Sequence, residues 1–370
     1  MININCKRDE NGLYDIDGID LFSHKIVMNT FSEKKDSFNF WCYPNRGLPF
    51  LVKYRNYPSY IFALYAELLY SGACKANGVK CANIDVGRYQ KNYCVLSQDI
   101  AYSADEKLDA YGLALLAGVS QKEMVYDEKK QFREGFYADR LYQYALKAKE
   151  IFPELEIDKS FLLDLYKIAF LDLMFCQEDR NPTNIMFLIH RKGDKRYLSV
   201  APIFDNEFAF EFMRLAGFYL HYKLDPVEVY NDVSQRANVA SLFNFECLEV
   251  SKYATPIFGT TSKVERFRFP MALNSADDSF AIPRRTASLI AKKEYENMAR
   301  VICENDDMRQ FVEMFDADFL QIGKQIRKEQ GFEIPIEYLE LCDDIFSYNF
   351  KRLKNQIKKQ EKLQEAEKGE

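Results

Sequence analysis

Asp179, Asn184 and Asp205 carry side-chain oxygens at a spacing that suits the handling of a phosphate group. They fall in FCQEDRNPTNIMFLI and, beyond the charged turn HRKGDKR, in LSVAPIFDN. Asp179 and Asn184 stand five positions apart, in a short loop that closes one apolar run and opens another. Asp205 follows twenty-one residues after Asn184, at the far end of the next apolar run. A hairpin of that length brings the chain back, so that Asp205 can lie beside Asn184. Phosphoryl transfer from ATP needs such a set: one Asp orients the attacking hydroxyl, while an Asn and a second Asp hold magnesium against the phosphates. Asp-Arg-Asn-Pro is also ordinary turn chemistry, and Arg180 is free to pair with Asp205, with a neighbouring carboxylate or with phosphate.

Such chemistry also needs a cation on the nucleotide. Lys53 is the only charge in LPFLVKY, ending a candidate strand next to a candidate helix. It reads either as a phosphate contact or as an edge-strand lysine facing water. No G-x-x-x-x-G-K-[ST] occurs, and no G-x-G-x-x-G precedes Lys53. Ahead of the first hairpin, the loop from Thr30 to Ser37 offers the Ser32 hydroxyl, backbone N–H groups and Lys34 or Lys35 as a phosphate cradle, or else forms a solvated turn.

The elements that must position these residues fall into two regions. Up to about residue 103, short apolar runs separated by turns predict a sheet of four or five strands with one packed helix. Ser37 to Cys42 and Leu48 to Tyr54 read as a hairpin, and CANIDVGRY and NYCVLSQDI as two further strands. The segment SYIFALYAELLYSGA has apolar residues at helical spacing, with Ser59 as an N-cap and Gly72 near the stop. From residue 104 onward helical patterns dominate. The clearest run from Ala138 to Ala148 and from Ser160 to Phe175, the latter apolar almost all round, as suits a central helix. A hairpin over 184–189 and 197–204 sits inside this region, 225–285 has no clear periodicity, and helices return at 286–303, 307–329 and 335–358. The final stretch from Lys354 reads as a solvated helix.

Composition narrows the classes. A hydrophobic fraction of 48%, with 30 Phe and 24 Tyr, supplies a core for a 370-residue chain long enough for two lobes. A net charge of −6 gives no general reason to bind nucleic acid. No apolar run is long enough for a membrane span, and the first residues do not read as a secretory signal. Nine Cys without a CxxC pair read as reduced thiols of a cytoplasmic protein, with a non-classical route of secretion left open. Three scattered His argue against a zinc cluster.

QEDRNPTN and SVAPIFDN, with Lys53 at a strand end and the loop FSEKKDSFNFW, resemble the HipA-like serine/threonine kinases, in particular the short, single-module, Helicobacter-type members. The resemblance runs through roughly residues 30 to 210, including ELLYSGACKANGVKCANIDVG and YCVLSQDI. It implies an α+β, bilobal protein-kinase-like fold, with a strand-rich nucleotide-binding lobe (1–103) and a mainly helical catalytic lobe (104–370). It further implies ATP and Mg2+ as cofactors, Asp179 as catalytic residue, Asn184 and Asp205 as metal ligands, and Lys53, Ser32, Lys34 and Lys35 toward the nucleotide. Protein Ser or Thr acceptors, autophosphorylation and a separate antitoxin-like partner are implied as well. The family places a Glu early in the helix after the lysine strand, whereas Glu67, the only acid of SYIFALYAELL, comes about two turns in. Either Glu67 pairs with Lys53 through a different helix placement and contacts the nucleotide side, or another acid takes that role, or the lysine is unpartnered and activity is weak. A lipid or small-molecule kinase, and a nucleotide-binding pseudokinase acting as an interaction protein, are the alternatives.

Overall fold

A computed structural model describes residues 9, 10, 12–16, 24–28, 37–44, 47–55, 60–120, 136–177, 180, 182–207, 209, 210 and 284–368. The expectations for Ser32, Lys34, Lys35 and Asp179, and for nearly all of the aperiodic 225–285 stretch, lie outside these residues.

The fold is α+β, with sheets in the N-terminal half and helices in the C-terminal part. The first sheet contains β1 (Tyr14–Asp15), β2 (His24–Met28), β3 (Ser37–Pro44), β4 (Phe50–Arg55), β5 (Ile84–Tyr89) and β6 (Asn92–Gln98), in the order β1-β5-β6-β4-β3-β2. It thus has six strands where four or five were expected. The extra pair are short edge strands whose pairing is fixed by their neighbours, β1 parallel to β5 and β2 antiparallel to β3, more than by any local pattern.

Alternation along β4 decides where its charge goes. Phe50, Val52 and Tyr54 join Phe40, Cys42, Cys94 and Leu96 in a small apolar cluster on one face. Lys53 therefore points to the other face, which carries α1 (Tyr60–Ala76). Because β4 lies between β3 and β6, Lys53 is on an internal strand and the water-facing edge alternative does not apply.

Helix α1 does not stop at Gly72. It runs on to Ala76 and ends at Asn77 and Gly78, the latter at φ +65°. Gly72 serves packing instead: a Cβ there would stand 2.4 Å from Ile322 Cγ2.

The second sheet has the order β7-β9-β10-β8, from β7 (Glu106–Asp109), β8 (Leu155–Ile157), β9 (Met186–Lys192) and β10 (Lys195–Val200). Its centre is the expected antiparallel hairpin β9–β10, with Met186–Lys192 paired to Lys195–Val200. Helices α2 (Ala110–Leu116) and α3 (Tyr137–Ile151) accompany it, and α4 (Phe161–Met174) passes through the core with ten buried residues. Phe161 of α4 stacks on Phe187 of β9 at 5.4 Å.

The C-terminal helices are α5 (Arg284–Glu304), α6 (Asp306–Met314), α7 (Phe319–Gln330) and α8 (Ile336–Lys368). The helix expected over 307–329 is broken at 315–318, where Asp318 caps α7 by accepting from the Gln321 N–H at 2.8 Å. Helices α7 and α8 pack back on the first sheet and its helix: Phe62 of α1 stacks on Tyr338 of α8 at 5.6 Å, and the Gln330 amide of α7 donates to the Ile84 carbonyl of β5 at 3.1 Å. One continuous apolar core thus joins α1, α4, α7 and α8.

Gly72→Ala should lower stability by about 1–2 kcal/mol despite the better helix propensity of Ala, because Ile322 is β-branched and cannot swing clear. A shift of the urea midpoint checks this, and an unchanged or higher midpoint contradicts the packing role.

Candidate functional site

Lys53 is 7% exposed, and its ammonium donates to Glu67 Oε1 at 2.9 Å and to Asp205 Oδ1 at 2.6 Å. Glu67 is wholly buried, whereas the Asp205 side chain is 28% exposed. The second helical turn of α1, not the first, faces the Lys53 side of the sheet, so the late position of Glu67 still reaches the lysine. Two carboxylates thus converge on one amine. Glu67 Oε2 is buried and has no hydrogen-bond partner. Burying such a set is expensive unless each charge is matched, and groups of this kind collect at functional sites.

Asp205 lies at φ +57°, a left-handed backbone that turns the chain sharply beyond β10. A bridge between Cys81 and Ile203 holds the preceding residues: the Ala82 N–H donates to the Ile203 carbonyl at 2.7 Å, and the Ile203 N–H to the Lys80 carbonyl at 2.9 Å. The buried Gln177 side chain donates to the Asp205 carbonyl at 3.1 Å, tying this turn to the end of α4.

Arg180 organises the loop. It is 1% exposed, and its Nε and Nη2 donate to Asp172 at 2.9 and 3.1 Å. Its Nη1 donates to the carbonyls of Asn184 at 3.1 Å and Phe204 at 2.7 Å, and Nη2 also reaches Asn206 Oδ1 at 2.5 Å. A single guanidinium nitrogen therefore brings Asn184, in the short 3₁₀ turn Pro182–Asn184, next to the residue preceding Asp205. This is the proximity expected of the hairpin. The partner of Arg180 is Asp172, not Asp205, because the guanidinium points into the core.

Asp172, Tyr70, Gln177 and Asn206 also belong to this network, although no motif in the sequence marks them. Tyr70 donates its hydroxyl to Asp172 at 2.7 Å, linking α1 to the same carboxylate. Burial pushes the Tyr70 hydroxyl pKa well up, which keeps it a donor. Burial also raises the Asp172 carboxyl, opposed by the Arg180 charge and its hydrogen bonds. For Arg180 burial acts downward, but the facing Asp172 carboxylate carries the net shift upward, so the guanidinium stays charged. An acid amid the apolar run IAFLDLM at the end of FLLDLYKIAFLDLM was the available signal for Asp172.

The donor set fits a hard cation. Asp205 offers a partly exposed carboxylate and Asn184 an amide from an adjacent turn, and magnesium is commonly held by one or two such side chains with phosphate and water completing the shell. Among the described residues, no three His, Cys, Asp or Glu side chains form a ready-made metal cage.

No protein-family model and no curated protein matches this chain. Among solved structures it is similar to the Helicobacter pylori proinflammatory kinase CtkA, at 14% identity and a TM-score of 0.49, over 90% of this chain and 97% of that one. It is also similar to HipA of the Shewanella oneidensis MR-1 toxin–antitoxin system, solved with HipB and operator DNA. There the identity is 12% and the TM-score 0.34, over 90% of this chain and 63% of the other.

Asp172→Asn should cost about 3–5 kcal/mol, because Arg180 is left charged and buried without its counter-ion. Pairing it with Arg180→Met should recover part of that loss. Denaturant unfolding measures both, and equal stability of Asp172→Asn and the wild type would show that the pair does not hold the loop.

Proposed function

We propose that the chain is an ATP- and magnesium-dependent serine/threonine protein kinase that also phosphorylates itself. The observation that carries this reading is the buried Lys53 ammonium held between Glu67 and Asp205. Glu67 fixes the amine on the face of the sheet shared with α1, where the amine can contact nucleotide phosphates. Asp205 is joined to Lys53 but partly exposed, so its carboxylate would also be available to a metal. The proposed division into a nucleotide lobe (1–103) and a catalytic lobe (104–370) places Lys53 and Glu67 on one side of the site and Asn184 and Asp205 on the other.

In this mechanism Asp179 orients the acceptor hydroxyl and accepts its proton as the oxygen attacks the γ-phosphorus in line. Asn184 and Asp205 would hold the metal, and Lys53 would contact the nucleotide phosphates. Ser32, Lys34 and Lys35 would serve as further phosphate contacts. When bound, magnesium neutralises charge on the phosphate oxygens. Arg180 acts on the reaction only by position: it keeps the Asn184 and Phe204 backbones together, so that the two metal-binding side chains start from one place. Preorganisation of this kind accounts for much of the rate where little covalent chemistry falls to the protein.

Incubation of the full chain with γ-labelled ATP, with and without a generic protein substrate, tests the reading. Label on Ser or Thr is expected, and Asp179→Ala and Asp205→Ala should each reduce it by about 10³-fold or more while the circular-dichroism spectrum is kept. Full activity in both variants, or transfer only to a lipid or metabolite, would overturn the assignment.

Glu67→Gln should raise the KM for ATP by roughly tenfold with a smaller effect on kcat, since it loosens the lysine without removing a reacting group. Steady-state kinetics at varied ATP separates the two parameters, and an unchanged KM would remove Glu67 from the nucleotide side.

A further inference from the structure

We propose that Asn349, on the C-terminal helix α8, is a positioning residue that holds the strained turn after α4 and, through Gln177, the Asp205 side of the site. Five non-glycine residues among those described have a left-handed backbone. Gln90 and Lys91 form the two-residue turn between β5 and β6, where that conformation is ordinary. The other three, Cys176 at φ +51°, Asp205 at φ +57° and Phe210 at φ +56°, surround the site. Hydrogen bonds join their turns. The Phe210 N–H donates to the Phe175 carbonyl at 2.7 Å, and the two rings lie 5.0 Å apart. The Gln177 N–H donates to the Asp172 carbonyl at 3.0 Å, and its side chain to the Asp205 carbonyl at 3.1 Å. A left-handed backbone disfavours any residue with a Cβ, so each such turn persists only where its neighbours fix it.

Asn349 does this for Cys176. Its Nδ2 donates to the Met174 carbonyl at 3.0 Å and to Cys176 Sγ at 3.2 Å, spanning the end of α4 and the strained residue. Its Oδ1 accepts from the Tyr295 hydroxyl of α5 at 2.7 Å. A carbonyl can only accept, so the NH2 end of the amide must face Met174. Both Asn349 and Cys176 are buried, where such bonds meet little competition from water. Phe346, one turn earlier on α8, sets its ring 6.1 Å from that of Phe175. One buried amide thus ties two C-terminal helices to the turn.

The consequence for the reaction rests on the proposed reading of Asp205 as a metal ligand. Without Asn349 the Cys176 backbone relaxes toward the ordinary right-handed region, Gln177 shifts with it, and the Asp205 turn loses the side-chain donor that tethers it to α4. Lys53 and Glu67 come from β4 and α1 and keep each other. The effect therefore falls on magnesium use more than on ATP affinity. Asn349 bonds to backbone, thiol and phenol rather than to Asn184 or Asp205, so its part is indirect.

Amide hydrogen exchange of the full chain is compared between the wild type and Asn349→Ala, alongside label transfer from ATP at varied magnesium. Exchange at Gln177 and Phe210 should rise about tenfold while amides in the middle of α4 keep their rates. The magnesium concentration for half-maximal transfer should rise about fivefold, with the KM for ATP within roughly twofold of the wild type. Adding Cys176→Gly should bring both quantities back toward wild type, because glycine takes the left-handed conformation without restraint; loss of general stability would not be rescued in this way. Cys176→Ala removes one acceptor of Asn349 and leaves α5 and α8 intact, so it should show the same changes in smaller measure even if Asn349→Ala does not fold. Unchanged exchange at Gln177 and Phe210 in these variants would overturn the proposal whatever the chain catalyses, and faster exchange with an unchanged magnesium requirement would overturn the link to the site. A wild type that transfers no phosphate from ATP would remove the kinase reading and the role at the metal with it, while the exchange rates still decide whether Asn349 holds the turn.

Discussion

The buried pair of Arg180 and Asp172 is the constraint on which the described site depends. A guanidinium offers five N–H donors in a rigid plane and cannot give up its charge, so burying it requires that the surrounding structure supply acceptors on every side. Here the acceptors are a carboxylate from the central helix α4, two backbone carbonyls and one side-chain amide. One of those groups belongs to Asn184, two to the residues flanking Asp205 and one to α4. Meeting the needs of one cation therefore forces the strand ends together, and the positions of Asn184 and Asp205 follow as a consequence.

Helix α1 extends the same constraint to the lysine. Glu67 and Tyr70 lie three residues apart on one face, and they hold Lys53 and Asp172 respectively. The helix is fixed from behind by the close approach of Gly72 to Ile322 and by the aromatic contacts of Phe62 and Tyr65 with Tyr338. Charge at the front and packing at the back are thus supplied by successive turns of one element. This is a sensible place to spend buried polar groups, which cost stability unless each finds its partner.

Much of this was legible in the chain. The step from Asp179 to Asn184 and the apolar hairpin to Asp205 announced a returning strand, and strand alternation in LPFLVKY set Lys53 apart from its apolar neighbours. Glu67 was legible as the only acid of its helix, but its reach depends on which turn of α1 faces β4, a tertiary matter. Arg180 was open to three partners because a loop arginine carries no local sign of burial. Gly72 looked like a helix stop since the same residue serves both for ending a helix and for letting another approach. The break at 315–318 was hidden because apolar spacing continues across it, and only the Asp318 cap marks the new start.

Calorimetric titration of the full chain with ATP, in the presence and absence of magnesium, tests the central claim most directly. The account predicts one saturable site whose affinity depends on magnesium, with that dependence lost in Asp205→Asn and binding itself weakened in Lys53→Ala. ATP binding that is absent, or that keeps its full magnesium dependence in Asp205→Asn, would contradict it.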